Sequence, residues 1–289
     1  MLSSRSVLNI DIFKKTKITR QRTQRLYYDR MSTQKRDLLR KGNSELASLG
    51  IFVWSIPALM AKSDKFGRIK TCPNAGICAA LCYARTGRYT FRPVVNAHTK
   101  NLEEYMSDPF AWKQKLQNEL KAKKFRPTGE AHSFDWETRQ DFDWWVTSGG
   151  KAVRIHDAGD FFSYRYLLDW LDIADNNPNI LFYTYSKQVS DFKKANKEGK
   201  IPKNFIVIFS MGGKQDELID TSQDRHDDIF PNLQALTAAG YEDQEKSDLM
   251  AALLPTNKIG IVANNIPRLL RLQGIKSFSL AQKNGLEAV

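Results

Sequence analysis

No apolar run in this chain approaches the roughly 20 residues that span a bilayer, so a membrane-spanning helix is not expected. The N-terminus lacks the uninterrupted apolar segment of a secretory signal. Neither a G-x-G-x-x-G nor a Walker A sequence is present, which removes the support for Rossmann dinucleotide binding and for P-loop chemistry. Cysteine is scarce: three in 289 residues. An odd, small number does not build a disulfide framework and points to a reducing cytosol. A sizeable core is expected and global disorder is not, since 42% of residues are hydrophobic and 11% aromatic.

The little cysteine there is lies in one window, Cys72-Pro-Asn-Ala-Gly-Ile-Cys78-Ala-Ala-Leu-Cys82, spaced C-x5-C-x3-C. A packing role as small hydrophobes gives no reason for such clustering. Converging thiolates form a soft-metal site, for zinc or for an iron–sulfur cluster. A closed zinc site takes four ligands. His98, sixteen residues after Cys82, and His156 are the candidates for the fourth. With three protein ligands the site suits an open zinc or a [4Fe–4S] cluster with one free iron.

Charge is unevenly spread. The net charge is +12, and residues 1–41 carry 12 Lys/Arg against Asp11, Asp29 and Asp37. A basic arm on a nearly neutral body suggests a polyanion partner, most simply nucleic acid. Arg20, Arg22, Arg25 and Arg30 interleave with Tyr27 and Tyr28, a pattern that suits phosphate contact and base stacking. The alternative is a solvated charged tail. A membrane-surface role lacks a continuous apolar face.

The chain divides into a basic arm, 1–45, helical around Gln21–Arg40, and a single domain, 46–289. Gly50–Pro57 reads as a buried strand with the cysteine loop directly after it. Proline starts predict helices over Val94–Met106 and from Asp108 to about Lys123. Residues 125–148 read as a loop with short elements. From Lys151 strands alternate with helices: strands at Ala152–His156, Ile180–Tyr185, Phe205–Ser210, Lys258–Val262 and Lys276–Ser279, helices at Ser163–Ala174, Val189–Lys197 and Pro267–Leu272. About six strands in this alternation predict an α/β fold with a parallel sheet, a partial or irregular (β/α) barrel, with an open doubly wound sheet as the alternative.

In such barrels the strand C-termini carry the chemistry. Here they deliver the cysteine loop, then His156-Asp157-Ala158-Gly159-Asp160, Ser186-Lys187, Ser210-Met211-Gly212-Gly213 and Asn264-Asn265. Two carboxylates and an imidazole within five residues suit acid–base or nucleophilic work. The alternative is a turn capping the next helix through Asp160 or Ser163. Asp157, Asp160, His156 and Lys187 are the candidate reactive residues. Phe134–Asp141, rich in acids and aromatics, suits either base stacking or a packed cover. His226-Asp227-Asp228 reads as a surface loop.

Two resemblances follow. Cys72-Pro-x4-Cys78-x3-Cys82-Tyr-Ala-x2-Gly-x-Tyr89, with Val153-Arg-Ile-His-Asp-Ala-Gly-Asp-Phe-Phe162, resembles a family of phage-encoded proteins known as gene product 88-like, over roughly residues 50–210. That family in turn looks related to the DNA-guanine transglycosylases, similar to tRNA-guanine transglycosylase. This relation implies a (β/α) barrel, a zinc on Cys72, Cys78, Cys82 and a histidine, and exchange of guanine for a 7-deazaguanine such as preQ0. Asp157 or Asp160 would attack C1′ and form a covalent DNA intermediate. The transfer-RNA enzymes carry C-x-C-x2-C late in the chain, whereas these cysteines come early. The alternative to the transglycosylase is a radical S-adenosylmethionine-like enzyme; those resemble this chain in having about six β/α units and a three-cysteine loop directly after the first strand. Their spacing is C-x3-C-x2-C. A non-catalytic DNA-binding protein with structural zinc is a third reading.

Overall fold

The computed structural model describes residues 36–128, 145, 147, 149–244 and 247–286. The candidate nucleic-acid contacts Arg20, Arg22, Arg25, Tyr27, Tyr28 and Arg30, and the Phe134–Asp141 cluster, lie outside the described residues. Among the described residues no helix is long and apolar enough to cross a membrane.

The architecture is mixed α/β around an eight-stranded sheet. Its strands are β1 (Arg40–Lys41), β2 (Ile51–Trp54), β5 (Ala152–Ile155), β6 (Leu181–Ser186), β7 (Phe205–Ser210), β8 (His226–Phe230), β9 (Glu242–Asp243) and β10 (Lys258–Val262). They lie side by side in the order β1-β2-β5-β6-β7-β8-β10-β9. Every pairing is parallel except β1 on β2. Consecutive chain order along a parallel sheet needs a crossover between neighbours. Helices α4 (Tyr164–Asp175) and α5 (Val189–Lys197) fill the β5–β6 and β6–β7 crossovers.

Side chains alternate across a strand, and the sheet is apolar on both faces. Phe52, Trp54, Val153, Ile155 and Phe182 join one buried cluster with the helices. Ile51, Ala152, Leu181, Tyr183, Ile206 and Ile208 join the other. Burial on both faces is the reason these strands read as continuous Val/Ile/Phe runs. On the helical side the Trp54 indole N–H donates to the Tyr166 hydroxyl at 2.7 Å.

Helices start where the proline and cap signals place them. α2 (Arg92–Ser107) and α3 (Pro109–Leu120) both carry proline in the first turn, and Asp108 accepts from the Ala111 N–H. Ser163 caps α4 through the Tyr166 N–H.

Four expectations are corrected. A hairpin, β3 (Met60–Ser63) with β4 (Gly67–Lys70), separates β2 from the cysteine loop. Arg36–Arg40 is not helical: Arg40 and Lys41 pair with Val53 and Phe52, and Glu119 takes the N–H groups of Leu38 and Leu39 at 2.7 and 3.2 Å. Lys276–Ser279 is not a strand. Ser277 caps the helix Phe278–Asn284 by accepting from Leu280 N–H. Finally, His226-Asp227-Asp228 is no surface loop but the buried strand β8 between β7 and β10. Asp228 is tolerated because donors meet it: it takes the Ser279 N–H and hydroxyl and the Ile229 N–H.

Candidate functional site

The cysteine loop is clamped onto the strand ends by its backbone. Cys78 N–H donates to Gly212 O at 3.1 Å, and Lys214 N–H donates to Asn74 O at 3.0 Å. Ile77 N–H donates to Gln282 Oε1 at 2.6 Å, and the Asn74 amide donates to Gln188 Oε1 at 2.8 Å. Gly76 makes this approach possible. A Cβ there would stand 2.6 Å from Gly212 O and 2.7 Å from Gly213 C, with φ at +45°.

The clamp turns all three thiols onto one cavity of about 110 Å³, which His156, Asp157, Asp160, Lys187 and Ser210 also line. The cavity therefore lies at the C-terminal ends of β2, β5, β6 and β7. Leu59 N–H points at Cys72 Sγ from 3.2 Å. Burial pushes the Cys72 and Cys78 thiols upward and Cys82 up to about 11. Without a cation these sulfurs stay protonated. Among the described residues no three His, Cys, Asp or Glu side chains are placed to hold a metal ion. The thiols surround a cavity rather than converge on a point.

The five residues after β5 divide into separate tasks. Asp160 is 5% exposed and saturated: Oδ1 accepts Phe161 N–H at 2.8 Å and Ser186 O–H at 2.7 Å, and Oδ2 accepts Lys187 N–H at 3.0 Å. It ties the end of β5 to the end of β6. The Lys187 ammonium spends its donors on Ser210 O, Ser210 Oγ and Met211 O at 2.9, 2.7 and 2.9 Å, tying β6 to β7. His156 sits at φ +66°. Its Nε2 meets the Tyr166 hydroxyl at 3.0 Å, its Nδ1 has no partner, and burial lowers its pKa to about 3.

Asp157 alone of the group is open, its side chain 25% exposed. Oδ2 accepts from the Tyr89 hydroxyl at 2.6 Å, and Oδ1 stands 3.3 Å from the Arg154 guanidinium. The Tyr83 hydroxyl holds the Asp157 carbonyl at 2.6 Å. Asp157 also lines a second cavity, of about 370 Å³, on the side of β1 and α2. His98 lines that second cavity and is not among the residues around the thiols. Burial and the nearby Arg40 bring its pKa down to about 4.

The profile of the family described as gene product 88 matches residues 27–285. The chain belongs to the gene product 88 family. No curated protein and no solved structure matches it. The family's description carries no reaction, so the chemistry of this gene product 88 chain rests on its residues.

Some of those residues escaped sequence reasoning. Tyr83, Tyr89 and Arg154 stood inside the quoted motifs without a role. Asp227 was hidden in what read as a loop; it is 1% exposed, with Oδ1 unpartnered and Ser210 Oγ 3.4 Å from Oδ2. The one available signal was the spacing His226–Phe230 into the following helix pattern, and its acids masked it.

Two predictions arise here. Gly159 has φ +89°, and a Cβ would stand 2.3 Å from Ile56 Cγ1. Gly159→Ala is expected to cost about 2 to 4 kcal/mol from left-handed strain plus overlap. Chemical denaturation within 0.5 kcal/mol of the parent would refute that. Burial raises Asp227 from 3.8 to about 7. The folded state then keeps a proton that the unfolded chain releases, so stability falls as pH rises from about 4 to about 7 and levels above. Asp227→Asn is expected to melt above the parent at pH 8, with the gap closing toward pH 4. A gap independent of pH would contradict it.

Proposed function

We propose that this gene product 88 chain is an iron–sulfur enzyme of the radical S-adenosylmethionine type, its cluster held by Cys72, Cys78 and Cys82. One observation carries the reading: the three thiols line the same cavity as the strand-end residues of β5, β6 and β7. A structural zinc has no need to share the reactive cavity. Six parallel strands in consecutive order, with the cysteine loop after the first, support the same reading and its partial (β/α) barrel.

The donor set fits. Three sulfurs raised by burial need a cation to become thiolates, and the Leu59 N–H aimed at Cys72 Sγ favours the thiolate. When bound, a [4Fe–4S] cluster with a free iron supplies the electron that cleaves S-adenosylmethionine. The chain's own residues hold and shape the site. Asp160 and Lys187 lock three strand ends in register, so the loop docks on a rigid rim. Gly159 lets the turn after β5 close onto Ile56, just beyond β2. Asp157, held by Tyr89 and Arg154, presents a fixed carboxylate at the border of the two cavities, suited to accept a hydrogen bond from an ammonium or a base edge.

The border position of Asp157 also favours a second reading, the DNA-guanine transglycosylase. There Asp157 attacks C1′, the cysteines with a histidine hold zinc, and a 7-deazaguanine replaces guanine. In that reading His156, whose Nδ1 is unpartnered, is the histidine nearer the thiols. In both readings the basic arm is the contact to nucleic acid.

Metal content and absorbance of protein purified without oxygen test the proposal. Iron and sulfide with a band near roughly 400 nm are expected for a thiolate-bound cluster. Stoichiometric zinc in a colourless solution would sink it, and covalent trapping on guanine-containing DNA, lost in Asp157→Asn, would then support the transglycosylase.

A further inference from the structure

Beside the thiol cavity lies the larger space of about 370 Å³, whose wall is strongly basic. Arg40 and Lys41 enter it from β1, Arg88 from the turn after the cysteine loop, and Arg154 from β5. Asp157 is its single carboxylate. That acid is already matched, since Arg154 is paired with Asp157 and with Asp248, each at 3.3 Å. Arg40, Lys41 and Arg88 have no carboxylate partner among the described residues. Three cations thus share one concave wall without a carboxylate to neutralise them, and burial together with Arg36 already depresses Arg40. An anion bound among them would supply the missing charge.

The volume lies near the lower end of the range for small-molecule pockets, about 300–1,000 Å³. It suits one nucleotide rather than a large cofactor. Elsewhere the lining is polar: Asn101 is engaged with the Ser55 carbonyl and Arg36, which leaves the Ser55 hydroxyl and a neutral His98 to meet a base or sugar. In sequence the basic arm runs directly into Arg40 and Lys41.

We propose that this cavity is the substrate subsite for a phosphate-bearing nucleotide unit, with the phosphate on Arg40, Lys41 and Arg88 and the base or sugar directed past Asp157 toward the thiol cavity. It deepens the reading above, on which its role as the substrate side of the site rests. Phosphate gathers guanidinium and ammonium donors by charge-assisted hydrogen bonds, and Asp157 is the one charged group that both cavities share.

The test is equilibrium binding on the full chain, without turnover. The probes are deoxyguanosine monophosphate, deoxyguanosine and a single-stranded 12-mer. The monophosphate is expected to bind at least tenfold tighter than the nucleoside. Lys41→Ala/Arg88→Ala is expected to erase that difference, while Lys197→Ala/Lys283→Ala, an equal loss of charge on exposed helix positions, leaves it. Competition by the 12-mer, lost in the same double variant, would place the phosphate in a strand; binding of the monophosphate without competition would make the ligand a free nucleotide. Both outcomes uphold the subsite. Equal binding of nucleotide and nucleoside, or full nucleotide binding by Lys41→Ala/Arg88→Ala in a chain that melts like the parent, would overturn it. Iron is measured separately on the same preparation. A chain without a cluster that still binds nucleotide sinks only the first reading, and a chain with a cluster that ignores phosphate sinks only this one.

Discussion

Replacing any one of Cys72, Cys78 or Cys82 by alanine is expected to take the chain from about four irons to nearly none, as loss of one of three cluster ligands would. The three thiols share one cavity and nothing else in its lining matches a soft metal as well. Asp160 and Lys187, the nearest charged groups in that lining, have their hydrogen-bonding capacity spent on the strand ends. His98→Ala is expected to keep its iron, because His98 faces the neighbouring cavity. His156→Gln is the sharper control. A three-cysteine cluster survives it, whereas a four-ligand zinc that uses His156 does not. Iron and sulfide analysis on the five variants decides. Full iron in any single cysteine variant would overturn the ligand assignment, and loss of metal in His156→Gln alone among the histidine variants would turn it toward zinc.

Asp160→Ala is expected to destabilise the fold by about 3 to 5 kcal/mol, because three buried donors lose their acceptor at about 1–3 kcal/mol each with partial recovery. At about 2–4 °C per kcal/mol for a large domain, melting should fall by roughly 6 to 20 °C. Asp157→Asn should stay within about 1 kcal/mol, since its side chain is part-exposed and the amide keeps an oxygen for Tyr89. The two acids of one motif are thus expected to separate, one holding the strand ends and one meeting the ligand. Thermal denaturation of both variants checks it. Equal melting of Asp160→Ala and the parent would remove the structural role.

Much of this was legible because local physics and the tertiary structure agree. Pro93 and Pro109 in first turns, Ser163 as a cap, and the apolar runs at Ile51–Trp54 and Phe205–Ser210 all carry their meaning within a few residues. The elements that went astray owe their state to distant partners. Arg40 and Lys41 are extended because β2 offers an edge. His226–Phe230 is a strand because β7 and β10 flank it and Ser279 meets its acid. Lys276–Ser279 is too short for its pattern to separate strand from helix; Ser277 finds a cap bond and starts a helix.

The sequence by itself determined the alternation of strands and helices, and it set the motif from His156 to Asp160 at the end of a strand. Hydrophobic periodicity and cap chemistry are properties of neighbouring residues, so they can be read along the chain. Which carboxylate is spent and which is open was decided only by the tertiary structure. Asp157 and Asp160 are three apart and chemically alike; one meets Ser186, Lys187 and Phe161 and the other Tyr89 and Arg154, because the strand ends that supply those partners come together only when the sheet forms.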